Sequence, residues 1–120
     1  MISRAEILKG EPCPSGCEAN LNYLLECINK LRLLWNKPMI VTSGYRTVLH
    51  NKAIGGAKLS NHVTCRALDI QDLDGSLKAF CRLNDYKALI DCNLYMESGD
   101  STLTWAHFQT KSTSKREFIP

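Results

Sequence analysis

The chain lacks the features that would place it in a membrane or in a complex with nucleic acid. No apolar run approaches the roughly 20 residues that a membrane-spanning helix needs, so we expect no stable membrane association. The net charge is only +3, and the basic residues are scattered rather than interleaved with aromatics, which does not favour nucleic-acid binding. Repeats and low-complexity tracts are also absent. The sequence therefore predicts one compact domain over residues 1–120, and we expect a monomer.

The N-terminus has no apolar core of the kind found in secretion signals, so we expect synthesis in the cytoplasm. Without an export signal, the cysteines are predicted to be free thiols rather than a disulfide framework. The short spacing of Cys13 and Cys17 leaves open half of a second metal site, although buried packing is the commoner role of a free cysteine.

Hydrophobic periodicity predicts helices and short strands together, which is the α+β class. An apolar stripe at helical spacing indicates a helix over residues 16–35, with Ser15 and Glu18 as a capping box. Asp74 is expected to cap a third helix that carries Leu77, Phe80 and Cys81. The remaining predicted elements are a strand at 39–42, a helix at 47–54, and strands at 67–71, 93–97 and 103–109.

Alternation along the last three strands separates apolar from polar side chains. Asp69, Glu97 and His107 each occupy the polar side of their strand, and residues 57–65 form a loop that carries His62. Because successive strand residues point to opposite faces, one antiparallel sheet would bring these groups together on a single face.

Two imidazoles and one carboxylate form a ligand set that suits a single Zn²⁺ ion and leaves a position open for water. His62, Asp69 and His107 supply this set, and Glu97 is the candidate base that takes a proton from the water. Arg46 is the candidate group for binding a substrate carboxylate or a developing oxyanion. The pattern therefore predicts a zinc-dependent hydrolase.

Each of these residues also has a simpler interpretation. His62 in a polar loop is more often a solvated side chain, and His107 beside Trp105 can be a hydrogen-bonded core histidine. Glu97 can belong to a turn and Arg46 to an exposed helix start. Asp69 is harder to explain in this way, because burying an unpaired carboxylate costs several kcal/mol.

Four segments together resemble the M15-type zinc peptidases of the D-alanyl-D-alanine carboxypeptidase group, particularly their small phage-encoded, endolysin-like branch. They are residues 37–46 (KPMIVTSGYR), 55–62 (GGAKLSNH), 67–69 (ALD) and 104–109 (TWAHFQ). The resemblance covers nearly the whole chain. It implies the fold shared with the hedgehog signalling domain, in which a small antiparallel sheet packs against helices.

The resemblance also implies roles for individual residues. It gives His62, Asp69 and His107 as zinc ligands, Glu97 as general base and acid, and Arg46 as the group that stabilises substrate or transition state. We further predict that Arg46, Ser60, Tyr45 and Trp105 bind substrate.

The chain departs from the family pattern at two places. Many relatives have glycine where Cys65 stands, so Cys65 is either a packing residue or a competing, redox-sensitive thiol. In several relatives the catalytic glutamate lies only a few residues before the histidine, whereas Glu97 lies further from His107. Asp100 is nearer and remains the alternative base.

The implied function is hydrolysis of peptidoglycan stem peptides, as a D,D-carboxypeptidase or an L-Ala-D-Glu-type endopeptidase. A phage or prophage enzyme of this kind would reach the cell wall after release from the host cytoplasm, or as a virion component. Two other functions stay open, namely a non-catalytic zinc-containing module for wall binding or tail assembly, and a cytoplasmic D-Ala-D-Ala dipeptidase.

Overall fold

Five strands form one mixed sheet, which four helices accompany. The computed structural model describes residues 1–120. Its elements in chain order are α1 (Arg4–Leu8), α2 (Glu18–Trp35), β1 (Val41–Ser43), α3 (Val48–Ala53), β2 (Ala67–Gln71), α4 (Ser76–Cys92), β3 (Tyr95–Glu97), β4 (Trp105–Gln109) and β5 (Glu117–Phe118). The predicted α+β class is confirmed. No helix combines the length and the apolarity that crossing a membrane requires.

The strand order is β1-β2-β4-β3-β5, and the first three pairings are antiparallel. The prediction of a wholly antiparallel sheet is wrong at one edge, because β5 pairs with β3 in parallel. Sequence periodicity did not indicate β5, since a two-residue strand is too short to show alternation. In the centre of the sheet, β2 and β4 place Asp69 directly opposite His107.

One face of the sheet packs against helices. Leu68, Ile70, Met96 and Phe108 join the apolar stripe of α2 in the hydrophobic core. The long apolar stripe explains why α2 forms, and burying a large side chain of this kind contributes about 1.5–3 kcal/mol. The alternate strand residues then point away from the core, which is the predicted separation of apolar and polar faces.

The helix caps differ from the predicted ones. A capping box does occur, but at Ser3 and Glu6, where it starts the unpredicted helix α1. The capping box predicted at Ser15 and Glu18 is wrong, because α2 begins at Glu18 and has no side-chain cap. Glu18 forms an ion pair with Arg4 instead, at 2.6 Å, and so links the two helices.

Two aspartates cap the start of α4, the predicted Asp74 and also Asp72. Asp74 accepts a hydrogen bond from the Ser76 amide at 3.0 Å, but the carboxylate of Asp72 accepts from the next two amides, those of Leu77 and Lys78. Further along, α4 is kinked at residues 83–86. The other predicted boundaries differ from the structure by at most two residues, and β2 has the predicted bounds.

Candidate metal centre

A cleft of about 290 Å³ lies on the polar side of the sheet. Strands β2, β3 and β4 form its floor, and the loop between α3 and β2 forms one side. All but one of the predicted site residues line it, namely Arg46, Ser60, His62, Asp69, Glu97, Trp105 and His107. The exception is Tyr45, which packs against the hydrophobic core.

Three potential metal ligands converge at the bottom of the cleft. The ligand atoms of His62, Asp69 and His107 all lie within 4.8 Å of one another. The Oδ1 atom of Asp69 is 3.4 Å from His62 Nε2 and 2.9 Å from His107 Nδ1. The cross-strand register explains the second distance, and the turn at residues 60–65 delivers His62. His62 is only 3% exposed and Asp69 6% exposed, so solvent does little to screen these groups.

The orientation of the His62 ring is set by a backbone carbonyl. His62 Nδ1 donates a hydrogen bond to the oxygen of Gly44 at 2.8 Å, which leaves Nε2 pointing at Asp69. A side chain at Gly44 would collide with the backbone of Ile7, because α1 crosses there at close range. Glycine at this position therefore allows the approach that places the carbonyl.

The His107 ring is oriented by a side-chain amide. His107 Nε2 donates to Gln109 Oε1 at 2.9 Å, and Asn61 Nδ2 donates to the same oxygen at 3.2 Å. Gln109 Nε2 in turn donates to the Lys111 carbonyl at 3.0 Å, which fixes the oxygen end of the amide toward the ring. His107 Nδ1 is thus the nitrogen that faces Asp69. Outer hydrogen bonds of this kind select the tautomer of a metal-binding histidine.

The charges at the centre interact strongly. Burial alone would raise the pKa of Asp69, but hydrogen bonds from His107 and His62, which form when the nitrogens facing Asp69 carry protons, outweigh it and lower the pKa to about 2. Burial likewise lowers the pKa of His107, yet the hydrogen bond and the charge of Asp69 give a net increase. Asp69 is therefore an anion at any physiological pH, and a positive charge between the rings is favourable.

The donor set fits a zinc ion. Each imidazole donates one N–H to a fixed acceptor and directs its other nitrogen at the same carboxylate oxygen. Two nitrogen lone pairs and a carboxylate anion facing one point repel each other unless a proton or a cation lies between them. Ligand atoms about 2.1 Å from a tetrahedral zinc ion lie roughly 3.4 Å apart, and Asp69 Oδ1 lies 3.4 Å from His62 Nε2 and 2.9 Å from His107 Nδ1.

A sequence model of the family described as Peptidase M15 matches residues 2–101. The chain belongs to the peptidase M15 family. A comparison with curated proteins gives no match. The matched region contains Arg46, His62, Asp69 and Glu97 but ends before His107. In this M15 peptidase the third candidate ligand, His107, is therefore placed by the β2–β4 pairing rather than by the family match.

Arg46 lies beside the ligand set and is held at three points. Its Nε donates to Ser43 Oγ at 3.2 Å, and its Nη1 donates to Asn51 Oδ1 at 3.4 Å. Its Nη2 is 3.6 Å from Asp69 Oδ2. Each terminal nitrogen of the guanidinium keeps one further N–H donor. The M15 peptidase thus has a fixed cation with two free donors at the edge of the cleft.

Glu97 and Asp100, the two candidate bases, occupy different surroundings. Glu97 ends β3 and lines the cleft with the ligands, and its charge contributes to the raised pKa of His107. Asp100 is exposed in the following turn and does not line the cleft. Asp69 and Glu97 are the carboxylates of the cleft, and Asp69 is already paired with Arg46 and the imidazoles.

The loop that joins Glu97 to Trp105 is attached to α4. Lys78, which is 5% exposed, donates from Nζ to the carbonyls of Thr102 and Trp105 and pairs with Asp72 at 3.2 Å. One turn later, Arg82 makes two hydrogen bonds to Glu117, at 2.9 and 2.8 Å. These contacts restrict where Glu97 and Trp105 can lie.

Glu117 also accepts hydrogen bonds from Tyr86 Oη and the Gly99 amide. The Arg82 hydrogen bond, opposed by burial, lowers the pKa of Glu117 to about 2. The neighbouring Phe118 lines the cleft and lies edge-on to His107, with ring centroids 6.2 Å apart. The short strand β5 therefore supplies a wall of the site.

Cysteine takes no part in the cleft. Cys65 is fully buried with a left-handed φ of 58°, and burial raises the pKa of its thiol to about 12. A glycine would adopt that φ without strain, whereas Cys65 takes a conformation that non-glycine residues rarely adopt. Cys13 and Cys17 pack against the core and do not belong to a cluster of three or more metal-ligating groups.

No role was assigned from sequence to four contributors to the site, namely Gly44, Asn61, Gln109 and Phe118. Alternation did place Gln109 on the same side of its strand as His107. Asn61 and Phe118 gave no such signal, because one lies in an irregular loop and the other in a strand of two residues.

Proposed function

We propose that the chain is a zinc peptidase that hydrolyses peptide bonds in the stem peptides of peptidoglycan. The observation that carries this proposal is the convergence of His62, Asp69 and His107 in a cleft that also holds Glu97. A purely structural zinc site requires neither a base nor a fixed guanidinium beside it. Membership of the M15 family supports peptide hydrolysis as the reaction.

When bound, zinc polarises a carbonyl oxygen and makes water more acidic. Glu97 is the carboxylate of the cleft left free to accept a proton from the attacking water, since Asp69 is engaged by both imidazoles and Arg46. Glu97 then returns the proton to the nitrogen of the leaving amine. This transfer gives a neutral amine and regenerates the carboxylate.

Arg46 binds negative charge on the substrate. Its contacts with Ser43, Asn51 and Asp69 fix the plane of the guanidinium, so the two remaining N–H donors are aligned before substrate arrives. A carboxylate or a developing oxyanion accepts such paired donors well. Trp105 and Phe118 supply apolar walls for the peptide chain, and Ser60 lines the same cleft.

We place the action of the enzyme on the bacterial cell wall, in a phage or prophage setting. The protein would reach the wall after release from the host cytoplasm or as part of a virion. The proposed activity is that of a D,D-carboxypeptidase or an L-Ala-D-Glu-type endopeptidase, since each acts on a peptide whose carboxylates Arg46 can bind. We expect the enzyme to act as a monomer.

Digestion of purified peptidoglycan tests the proposal. We expect new peptide termini by mass spectrometry, and we expect them to disappear when a chelator removes the metal. Glu97→Gln should keep zinc and lose turnover, whereas the matched variant Asp100→Asn should remain active. Unaltered stem peptides after incubation with zinc-loaded protein would contradict the proposal.

Two further assays, sedimentation with peptidoglycan and cleavage of free D-alanyl-D-alanine, separate the alternative functions. A protein that sediments with peptidoglycan but releases no product is a wall-binding or tail-assembly module rather than an enzyme. A protein that cleaves free D-alanyl-D-alanine but not cross-linked wall is a cytoplasmic dipeptidase.

A further inference from the structure

A second groove, of about 250 Å³, adjoins the cleft. The two cavities are neighbours, since Leu59, Ser60 and Asn61 line both. The charged residues that line the groove are all basic, namely Lys58, Arg66 and Lys111, whereas the cleft is also lined by the carboxylates of Asp69 and Glu97. We call these three residues the basic groove cations.

The basic groove cations have no negative partner on the protein. No acidic side chain lines the groove, and none of the three cations forms an ion pair. Several other cations of the chain, such as Arg46, Lys78 and Arg82, do have carboxylate partners. Three like charges around one concave surface raise the local concentration of anions.

The backbone beneath these cations is held in place. The Arg66 amide donates to the Asn61 carbonyl, and the Thr110 amide donates to the Arg66 carbonyl, both at 2.9 Å. The Lys111 carbonyl accepts the hydrogen bond from Gln109 that orients the His107 ring. The groove floor is therefore continuous with the supports of the metal centre, while the charged ends of Lys58 and Lys111 face solvent.

We propose that this groove is a subsite for an anionic group of the substrate, recognised through carboxylate or phosphate oxygens. The inference rests on the proposed function, because it extends the substrate cleft. Stem peptides carry carboxylates, so the peptide is the expected source of the anion, and the phosphate-bearing wall polymers, which offer the same oxygen chemistry, are the alternative that the experiment tests. In either case the anion binds beyond the bond that is cut, and it therefore affects substrate affinity more than the chemical step.

Matched peptides test the subsite. We would compare a stem peptide with a free glutamate α-carboxylate and the same peptide amidated there, using the double variant Lys58→Gln/Lys111→Gln. The control is Lys30→Gln/Lys87→Gln, which removes the same charge from exposed helical positions outside the cleft. For the acidic peptide we expect KM to rise about threefold to tenfold in the groove variant, from the loss of two exposed ion pairs.

The same variant should leave kcat for the acidic peptide and KM for the amidated peptide unchanged. The effect should also shrink at about 1 M salt, where the Debye length falls to about 3 Å. Equal changes with both peptides, or equal changes in the control variant, would overturn the subsite.

A second arm distinguishes the source of the anion. Peptidoglycan with and without its phosphate polymers would be sedimented with wild-type and groove variant. Loss of binding in the variant only when phosphate polymers are present identifies phosphate as the ligand. If the groove variant still binds less than the wild type after the phosphate polymers are removed, the peptide carboxylate is the ligand. Identical binding of both proteins to both walls, together with unchanged peptide KM, would contradict both sources.

Binding measured without turnover separates this inference from the proposed function. If neither peptide is cleaved, the proposed peptidase function fails, and the same two peptides are then titrated into the zinc-loaded protein and followed by NMR. The subsite predicts shifts of the Asn61, Arg66 and Lys111 amides with the acidic peptide, and their loss in the groove variant. Absence of those shifts in the wild-type protein overturns the subsite.

Discussion

Replacing Gln109 tests whether the metal centre depends on its outer hydrogen bonds. Gln109→Leu removes the oxygen that accepts from His107 Nε2 and from Asn61 Nδ2. The His107 ring then loses the hydrogen bond that keeps its proton on Nε2. As a result, Nδ1 is no longer kept unprotonated and facing Asp69. Loss of an outer partner of this kind lowers metal affinity by about 10-fold to 100-fold.

That change corresponds to roughly 1.4–2.7 kcal/mol of zinc-binding free energy. The variant also leaves buried N–H groups without partners, so we expect the free energy of unfolding to fall by about 1–3 kcal/mol. Gln109→Glu is the matched control, because it keeps an acceptor oxygen for His107 Nε2, although it replaces the donor to the Lys111 carbonyl with an oxygen and adds a negative charge. It should bind zinc at least as tightly as the wild-type protein.

Competition with a chromophoric chelator measures the zinc affinity of the three proteins, and nitrogen NMR of the histidine ring reports its tautomer. The reasoning is refuted if Gln109→Leu binds zinc as tightly as the wild type while the protein remains folded. If His107 is still protonated on Nε2 in that variant, another group determines its tautomer, and the reasoning is refuted in the same way.

Further predictions concern Arg46, Glu117 and the proton competition at His107. Arg46→Lys loses the planar fork that contacts Ser43, Asn51 and Asp69, so kcat/KM for stem peptides should fall about 100-fold in steady-state assays, whereas zinc content should not change. Glu117 has a folded pKa of about 2 against a usual 4.5, so its stabilisation is complete above pH 4.5 and is lost as the pH falls toward 2. Arg82 is 41% exposed, so we expect screening to limit the loss to about 2 kcal/mol, and acid unfolding of Glu117→Gln should lack this component. Because the pKa of His107 is raised, chelator competition should show zinc affinity falling as the pH drops and His107 gains its proton, while Asp69 stays ionised down to about pH 2.

The parts of the fold that periodicity governs were predictable from sequence. The apolar stripe of α2 and the alternation of β2 and β4 both reflect burial on one side, so the polar face that holds Asp69 and His107 could be inferred before any contact was known. The loop position of His62 also followed, because the flanking elements were recognised.

The parts that depend on single tertiary contacts were not predictable. The parallel pairing of β5 is fixed by Glu117 and its partners on α4, which are distant in sequence. The cap of α2 was misplaced because Glu18 contacts Arg4, an interaction between elements that local sequence does not encode. Likewise, the hydrogen bonds that His62 donates to Gly44 and His107 donates to Gln109, which orient the two imidazoles, arise only when loop and strand meet.

The central claim is that His62, Asp69 and His107 together hold one zinc ion. X-ray absorption at the zinc edge, combined with metal analysis of His62→Ala, Asp69→Ala and His107→Ala, tests it most directly. We predict one zinc per chain, coordinated by two imidazole nitrogens and a carboxylate oxygen, and reduced occupancy in each variant. Full zinc occupancy in all three variants, or sulfur ligands at the metal, would contradict the account.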